Sequence, residues 1–201
     1  SKKKMNIDFT QEQLVAFYRS TSADGRKAVK EALGEKFSEI LPATERVKTY
    51  EDAVNELGED NPIVVAASTA SWLFPEAVNK DLVAYMKMRV IVAALNDGWE
   101  PQFVPGEQRW YPWYELISKE DYEAMSEDEK QERRCVGRSY SSASAYGGLV
   151  YSHAHYASSY SHAVIGSRLA FKSEALAEYA GKQFAELFAD FCFIPKSDVK
   201  E

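Results

Sequence analysis

No aspartate or glutamate occurs between Cys135 and Ser173, although the whole chain carries 31 acidic against 24 basic side chains and a net charge of −7. A long stretch without negative charge in an acidic protein marks a candidate contact face. Cysteine is nearly absent: Cys135 and Cys192 permit at most one disulfide, and their spacing builds neither a metal knuckle nor a redox pair. Two reduced thiols are the expectation. Apolar runs approaching the ~20 residues needed to cross a bilayer are missing too, since the best candidate, residues 86–95, is short and interrupted by Lys87 and Arg89. The basic opening SKKKMNIDF has no apolar segment behind it, which does not suit a secretory signal and predicts an intracellular protein with no membrane partner. Neither a Gly-x-Ser-x-Gly elbow nor a Gly-rich phosphate loop followed by Lys-Ser or Lys-Thr occurs, so no catalytic motif and no cofactor is indicated. The negative net charge argues against coating of duplex DNA by general electrostatics, because phosphate neutralisation needs a basic face; it leaves room for a local basic site.

A chain of 201 residues is ample for a buried core. Its first part reads as short amphipathic helices. Thr10 with Gln13 makes a capping-box pattern, Asp24 is placed to cap a second helix weakened by Gly34, and Thr49 with Asp52 opens a third that stops at Gly58. Residues 61–74 stay unassigned, because Pro62 suits a first helical turn while Ile63, Val64 and Val65 suit a strand. Residues 81–96 are apolar on most sides and predict a central helix ending at Asn96-Asp97-Gly98. Aromatics then crowd between Trp99 and Tyr114, punctuated by Pro101, Pro105 and Pro112, as in irregular or edge strands. A charged insert over residues 118–134 carries a capping box at Ser126 and Glu129 and predicts one or two exposed helical turns.

Beyond the insert, residues 140–146, 149–156 and 164–171 alternate large and small side chains and predict antiparallel strands, with Gly147-Gly148 and Gly166 as breaks. Ser173 caps a long last helix with an apolar stripe through Leu176, Ala180, Phe184, Leu187, Phe188 and Phe191, and an outer Glu178–Lys182 pair. The expected fold class is α+β: a helical N-terminal half and a C-terminal antiparallel sheet packed by a long C-terminal helix. Residues 1–80 form the helical region and 81–201 the α+β core, the two making one compact unit.

The succession MKMRVIVAALNDGWEP, RWYPWYEL, VGRSYSS and IGSRLAFKSEALAEYAGKQFAELFADF resembles a group of uncharacterised proteins from phages and prophages of gut Bacteroidetes. The likeness spans roughly residues 81–193, and GSRLAFKS with LAEYAGKQF is its specific part. It implies a mobile-element origin and expression in the cytoplasm of a bacterial host cell or association with a virion. It carries over no catalytic residue.

Binding is the use that the chain's excess of Tyr, Ser and Gly suggests, since Tyr offers large contact area at small entropic cost while Ser and Gly adapt. The candidate contacts are Arg138, Tyr140, Tyr146, Tyr151, Tyr156, Arg168 and Lys172, joined by Trp110 and Trp113. A protein partner or self-association is the first reading. The second is single-stranded nucleic acid, whose bases the aromatics would stack and whose phosphates Arg138, Arg168 and Lys172 would follow. The third is an acidic inhibitor of a host nucleic-acid enzyme, acting through residues 115–132. Against all three stands plain packing of the same aromatics within the sheet. His153 and His155 share a strand face and His162 could join them on a metal, but no carboxylate lies nearby in sequence to orient the imidazoles. Cys135 lies among Arg133, Arg134 and Arg138, whose charge would favour a thiolate, yet a lone cysteine with no partner motif reads as a small apolar residue.

Overall fold

The computed structural model describes residues 7–74, 76–137, 146–163 and 166–193. Among them the first elements are helical: α1 (Gln11–Ser20), α2 (Ala23–Leu33), the single turns α3 (Phe37–Ile40) and α4 (Ala43–Arg46), α5 (Tyr50–Leu57), α6 (Pro62–Leu73) and the long α7 (Glu76–Asn96). Strand β1 (Gln108–Ser118) follows, then the short helices α8 (Lys119–Ala124) and α9 (Glu127–Glu132), β2 (Val136–Gly137), β3 (Tyr146–Ser158), α10 (Glu174–Gln183) and α11 (Ala185–Cys192). The strands form one antiparallel sheet in the order β1-β3-β2. The fold is α+β, with a helical N-terminal region and a C-terminal sheet contacted by the last two helices.

Helix starts follow local chemistry. Thr10 and Gln13 close a reciprocal capping box on α1, and Thr49 and Asp52 close another on α5. The cap of α2 is Ser22 rather than Asp24: its hydroxyl accepts from the Gly25 amide at 3.2 Å, which leaves Asp24 in the first turn. Residues 61–74 resolve as helix, with Asn61 accepting from the Ile63 amide and Pro62 at the first position. Val64, Ala67 and Ala70 are buried where α6 meets α7, and that burial outweighs the strand preference of the β-branched residues.

α7 runs through the middle of the molecule, in contact with α4, α5, α6, α10 and α11. Its Val90, Ile91 and Leu95 share one core cluster with Val47 and Ala53 from the N-terminal region and with Phe171, Ala177 and Ala180 from the C-terminal one. Asn96, buried at the end of α7, donates its side-chain amide to the Ala170 carbonyl at 2.8 Å and accepts from the Lys172 amide at 3.1 Å.

Three expectations change in the C-terminal part. Gly147 and Gly148 are not breaks but lie inside β3, where no side chain fits: a Cβ would come within 2.5 Å of the Ser118 carbonyl oxygen at Gly147 and of the Val136 carbonyl oxygen at Gly148. The expected strand over residues 164–171 is, in its described part, a 3₁₀ turn at Ser167–Leu169 followed by Phe171, which alone bridges to Trp110. The Asn96 bonds on either side of Phe171 hold this segment to the helix instead of letting it extend along the sheet. The C-terminal helix is present as two consecutive segments, interrupted at Phe184 (φ −114°, ψ 26°), whose side chain enters the core. The break lets α10 lie on β1 and β3 while α11 turns to α7 and β2. The expected strand over residues 140–146 falls, except for its last residue, outside the described residues.

Candidate binding face of the sheet

Pairing of β1 with β3 sets Trp110 opposite Tyr156, Tyr111 opposite His155, Pro112 opposite Ala154 and Trp113 opposite His153. Successive side chains of a strand point to opposite faces, so these pairs sort into two sets. Between Trp113 and Tyr114 the register shifts, and Tyr114 meets Tyr151 while Ser152 is left over as a bulge.

The set holding Trp110, Pro112, Tyr114 and Tyr151 is the inner face. Tyr114 donates its hydroxyl to the Gly181 carbonyl of α10 at 2.7 Å and meets the Tyr151 ring edge-on at 5.9 Å and the Phe188 ring at 5.3 Å. Gly181 is what lets the helix come this close, because a Cβ there would stand 2.6 Å from the Tyr151 ring and 2.7 Å from Pro112. Burial, helped by Glu178 and Glu174, pushes the Tyr151 hydroxyl up to about 12. The Lys182 ammonium lies 5.4 Å from the centre of the same ring.

The other face carries Tyr111, Trp113, His153 and His155. The Trp113 indole, 46% exposed, stacks on His153 at 6.1 Å and lies 5.4 Å from His155, while Tyr111 meets His155 edge-on at 5.5 Å. His153 and His155 are themselves 5.6 Å apart and exposed. Beside them the bulged Ser152 donates to Glu115 at 3.0 Å and touches His153 Nδ1 at 3.1 Å. Tyr111 is buried beneath this rim, and that burial pushes its hydroxyl up despite the nearby Arg109 charge.

Buried polar contacts brace the end of the sheet nearest this face. Arg109 is buried, donates to the His162 carbonyl and lies 5.8 Å from the centre of the Phe103 ring. Glu107 accepts from the Gln102 amide at 3.0 Å, the Phe103 amide at 2.9 Å and the Ser159 hydroxyl. Burial would raise its carboxyl, but Ser159, the two amides and Arg109 together hold it below the ordinary value. These two residues were not singled out by the sequence, where only the adjacent Gly106 and the paired charges hinted at a tight loop.

The remaining candidates are distributed rather than gathered. Trp110 is half-buried against the core and 4.9 Å from Tyr156, which is exposed. Lys172 holds the end of α7, its ammonium donating to the Asn96 carbonyl at 3.0 Å. Arg168 is exposed and faces Glu100 at 3.6 Å in a different cleft. His162 sits in the turn after β3, its Nδ1 on the Ser161 hydroxyl at 2.8 Å. No group of three His, Cys, Asp or Glu side chains placed to hold a metal ion occurs among the described residues. Burial raises the Cys135 thiol more than Arg133 and Lys130 lower it, so the nearby positive charge does not favour a thiolate. Both cysteines are free, and the acidic insert is taken up by the capping box of Ser126 with Glu129 and by a Lys130–Glu127 pair at 2.7 Å. Arg138 and Tyr140 lie outside the described residues, and Tyr146 opens β3.

No helix among the described residues is long and apolar enough to cross a membrane. The chain matches no protein-family model, no curated protein and no solved structure.

Proposed function

We propose that this protein acts by binding rather than catalysis, and that its contact is made with a protein, a second copy included, through the open face of the sheet. One observation carries the reading: the exposed Trp113 indole held by two histidines on a face whose opposite side is sealed by α10. An aromatic anchor already fixed by its neighbours loses little freedom on contact, which is how Trp and Tyr come to dominate interface energies. Imidazoles beside it can donate or accept hydrogen bonds at the rim. The setting we propose is the mobile element implied by the sequence resemblance, in a bacterial host cell or its virion.

The test places a photo-crosslinking residue at Trp113 and, as a control, at the exposed Glu31 of α2. Light scattering of the unmodified chain and of Trp113→Ala accompanies it, with and without a single-stranded oligonucleotide. A crosslinked protein or dimer specific to position 113, whose association weakens at least tenfold in Trp113→Ala, is the expected result. A salt-sensitive gain of mass with the oligonucleotide alone would transfer the face to nucleic acid. Equal crosslinking at both positions, with no change in mass, would reject a contact role for it.

A further inference from the structure

A cleft of about 560 Å³ opens between the start of α6, one flank of α7, the loop after Gly98 and the turn at Ser167–Leu169. Arg89 and Arg168 both line it, against a single carboxylate, Glu100. A cationic cleft is unexpected in a chain of net charge −7.

Arg89 is the unusual member. It makes no ion pair among the described residues, its Nε is buried without a hydrogen-bond partner, and its other contacts are soft: the Met86 sulfur at 3.8 Å and the face of Tyr85 at 5.9 Å. Arg89 as a whole is half-buried; the fully buried arginine of the helical region, Arg46, meets both Glu56 and Asp97. Guanidinium groups removed from water are ordinarily matched by anions, since desolvation without a partner is unfavourable. Arg168 is 60% side-chain exposed and only 3.6 Å from a Glu100 that is itself 74% exposed, a loose pair that an incoming anion can replace. The first turn of α6, a helix of 12 residues, adds the positive end of its dipole at the same wall. Trp99 and Phe103 supply flat apolar surface, and the Phe103 backbone is held at φ 58° by the bonds of Glu107 to its own amide and that of Gln102.

We propose that this cleft is a binding site for a planar ring carrying a phosphate, of the class of a nucleoside monophosphate. Two guanidinium groups suit a phosphate dianion by forked, charge-assisted hydrogen bonds. The indole and phenyl rings suit the base by stacking, and the volume falls within the usual few hundred Å³ of small-ligand sites. The site is separate from the sheet face and does not depend on its role.

Calorimetric titration of the full chain with AMP, GMP, CMP and UMP at low salt tests it, with adenosine and inorganic phosphate as partial ligands. Saturable binding of at least one monophosphate is expected, with adenosine and phosphate each at least tenfold weaker. Arg168→Gln and Arg89→Gln should each weaken it at least tenfold while thermal melting shows both variants folded; because Arg168 is on the surface, that variant decides alone if Arg89→Gln unfolds. A 5′-phosphorylated oligonucleotide that competes identifies a strand end as the source of the phosphate, and one that does not identifies the free nucleotide. Absence of binding by all four monophosphates up to millimolar concentration, or affinities unchanged in Arg168→Gln, overturns the assignment.

Discussion

Buried charge in the helical region is organised around Arg46. Its side chain is 0% exposed; it donates to the Leu41 carbonyl at 2.8 Å and to Asp97 at 3.2 Å, pairs with Glu56, and stands 4.6 Å from the centre of the Phe37 ring. Burial would raise the Asp97 carboxyl, but Arg46, the Ser38 hydroxyl and Lys172 outweigh it and hold Asp97 below the ordinary carboxylate range. Asp52 is treated alike: burial raises it, while the Arg19 guanidinium at 2.8 Å, the Lys48 amide and the Thr49 cap lower it further. A carboxyl whose folded pKa lies below its unfolded one binds fewer protons folded than unfolded, so it stabilises the fold above the unfolded value, about 4, and that contribution is lost as pH falls through the depressed folded value. Urea unfolding at pH 7, 5 and 3 should therefore give nearly equal stabilities at the first two and a clear drop at the third. Arg19→Met should lower stability at pH 7 and reduce the drop, because Asp52 then has less to lose. An unchanged pH profile in that variant would remove Asp52 from the account.

The packing of α10 on the sheet depends on one missing side chain. Gly181 admits the Tyr151 ring and Pro112 at distances no Cβ permits, so Gly181→Ala forces the helix outward or the tyrosine off its rotamer. Overpacking of this kind costs about 1–3 kcal/mol, and the substitution recovers less than ~1 kcal/mol from helix propensity. Chemical denaturation should show net destabilisation, and the Tyr114 bond to the Gly181 carbonyl should weaken with it. Much of the element list was legible in the sequence because its signals are local: the boxes of Thr10, Thr49 and Ser126, the stop at Gly58 and the apolar span ending at Asn96 each act within a few residues. What escaped depends on partners far away in the chain. Residues 62–73 are helical because α7 covers Val64 and Ala67, the last helix breaks because Phe184 enters the core, and the bulge at Ser152 decides that Tyr151 faces inward while His153 faces out. Of the candidate site, the histidine pair and Trp113 could be read from strand periodicity. That Lys172 belongs to the end of α7 and Arg168 to a separate cleft could not, because both placements follow from the turn at Ser167–Leu169.

The molecule as a whole is closed by a contact between α7 and a segment far along the chain. Asn96 carries both the Ala170 carbonyl and the Lys172 amide, and Lys172 returns its ammonium to the Asn96 carbonyl. Asn96→Ala leaves the buried Ala170 carbonyl and the part-buried Lys172 amide without their side-chain partner, at roughly 1–3 kcal/mol for the buried one and less for the other, and frees the segment that brings Phe171 to Trp110. Hydrogen exchange should then accelerate at residues 170–172 and at Trp110, with the amides of α1 and α2 little altered; uniform acceleration throughout would instead mean a general loss of stability. The separation of 74 positions between Asn96 and Ala170 also sets a schedule for synthesis. As the polypeptide leaves the ribosome, α5, α6 and α7 emerge with the flank meant for Phe171, Ala177 and Ala180 still bare, and the amide of Asn96 has only water to bind. The helical region stays incompletely docked until residues 170–180 arrive, and for that interval its apolar flank faces water.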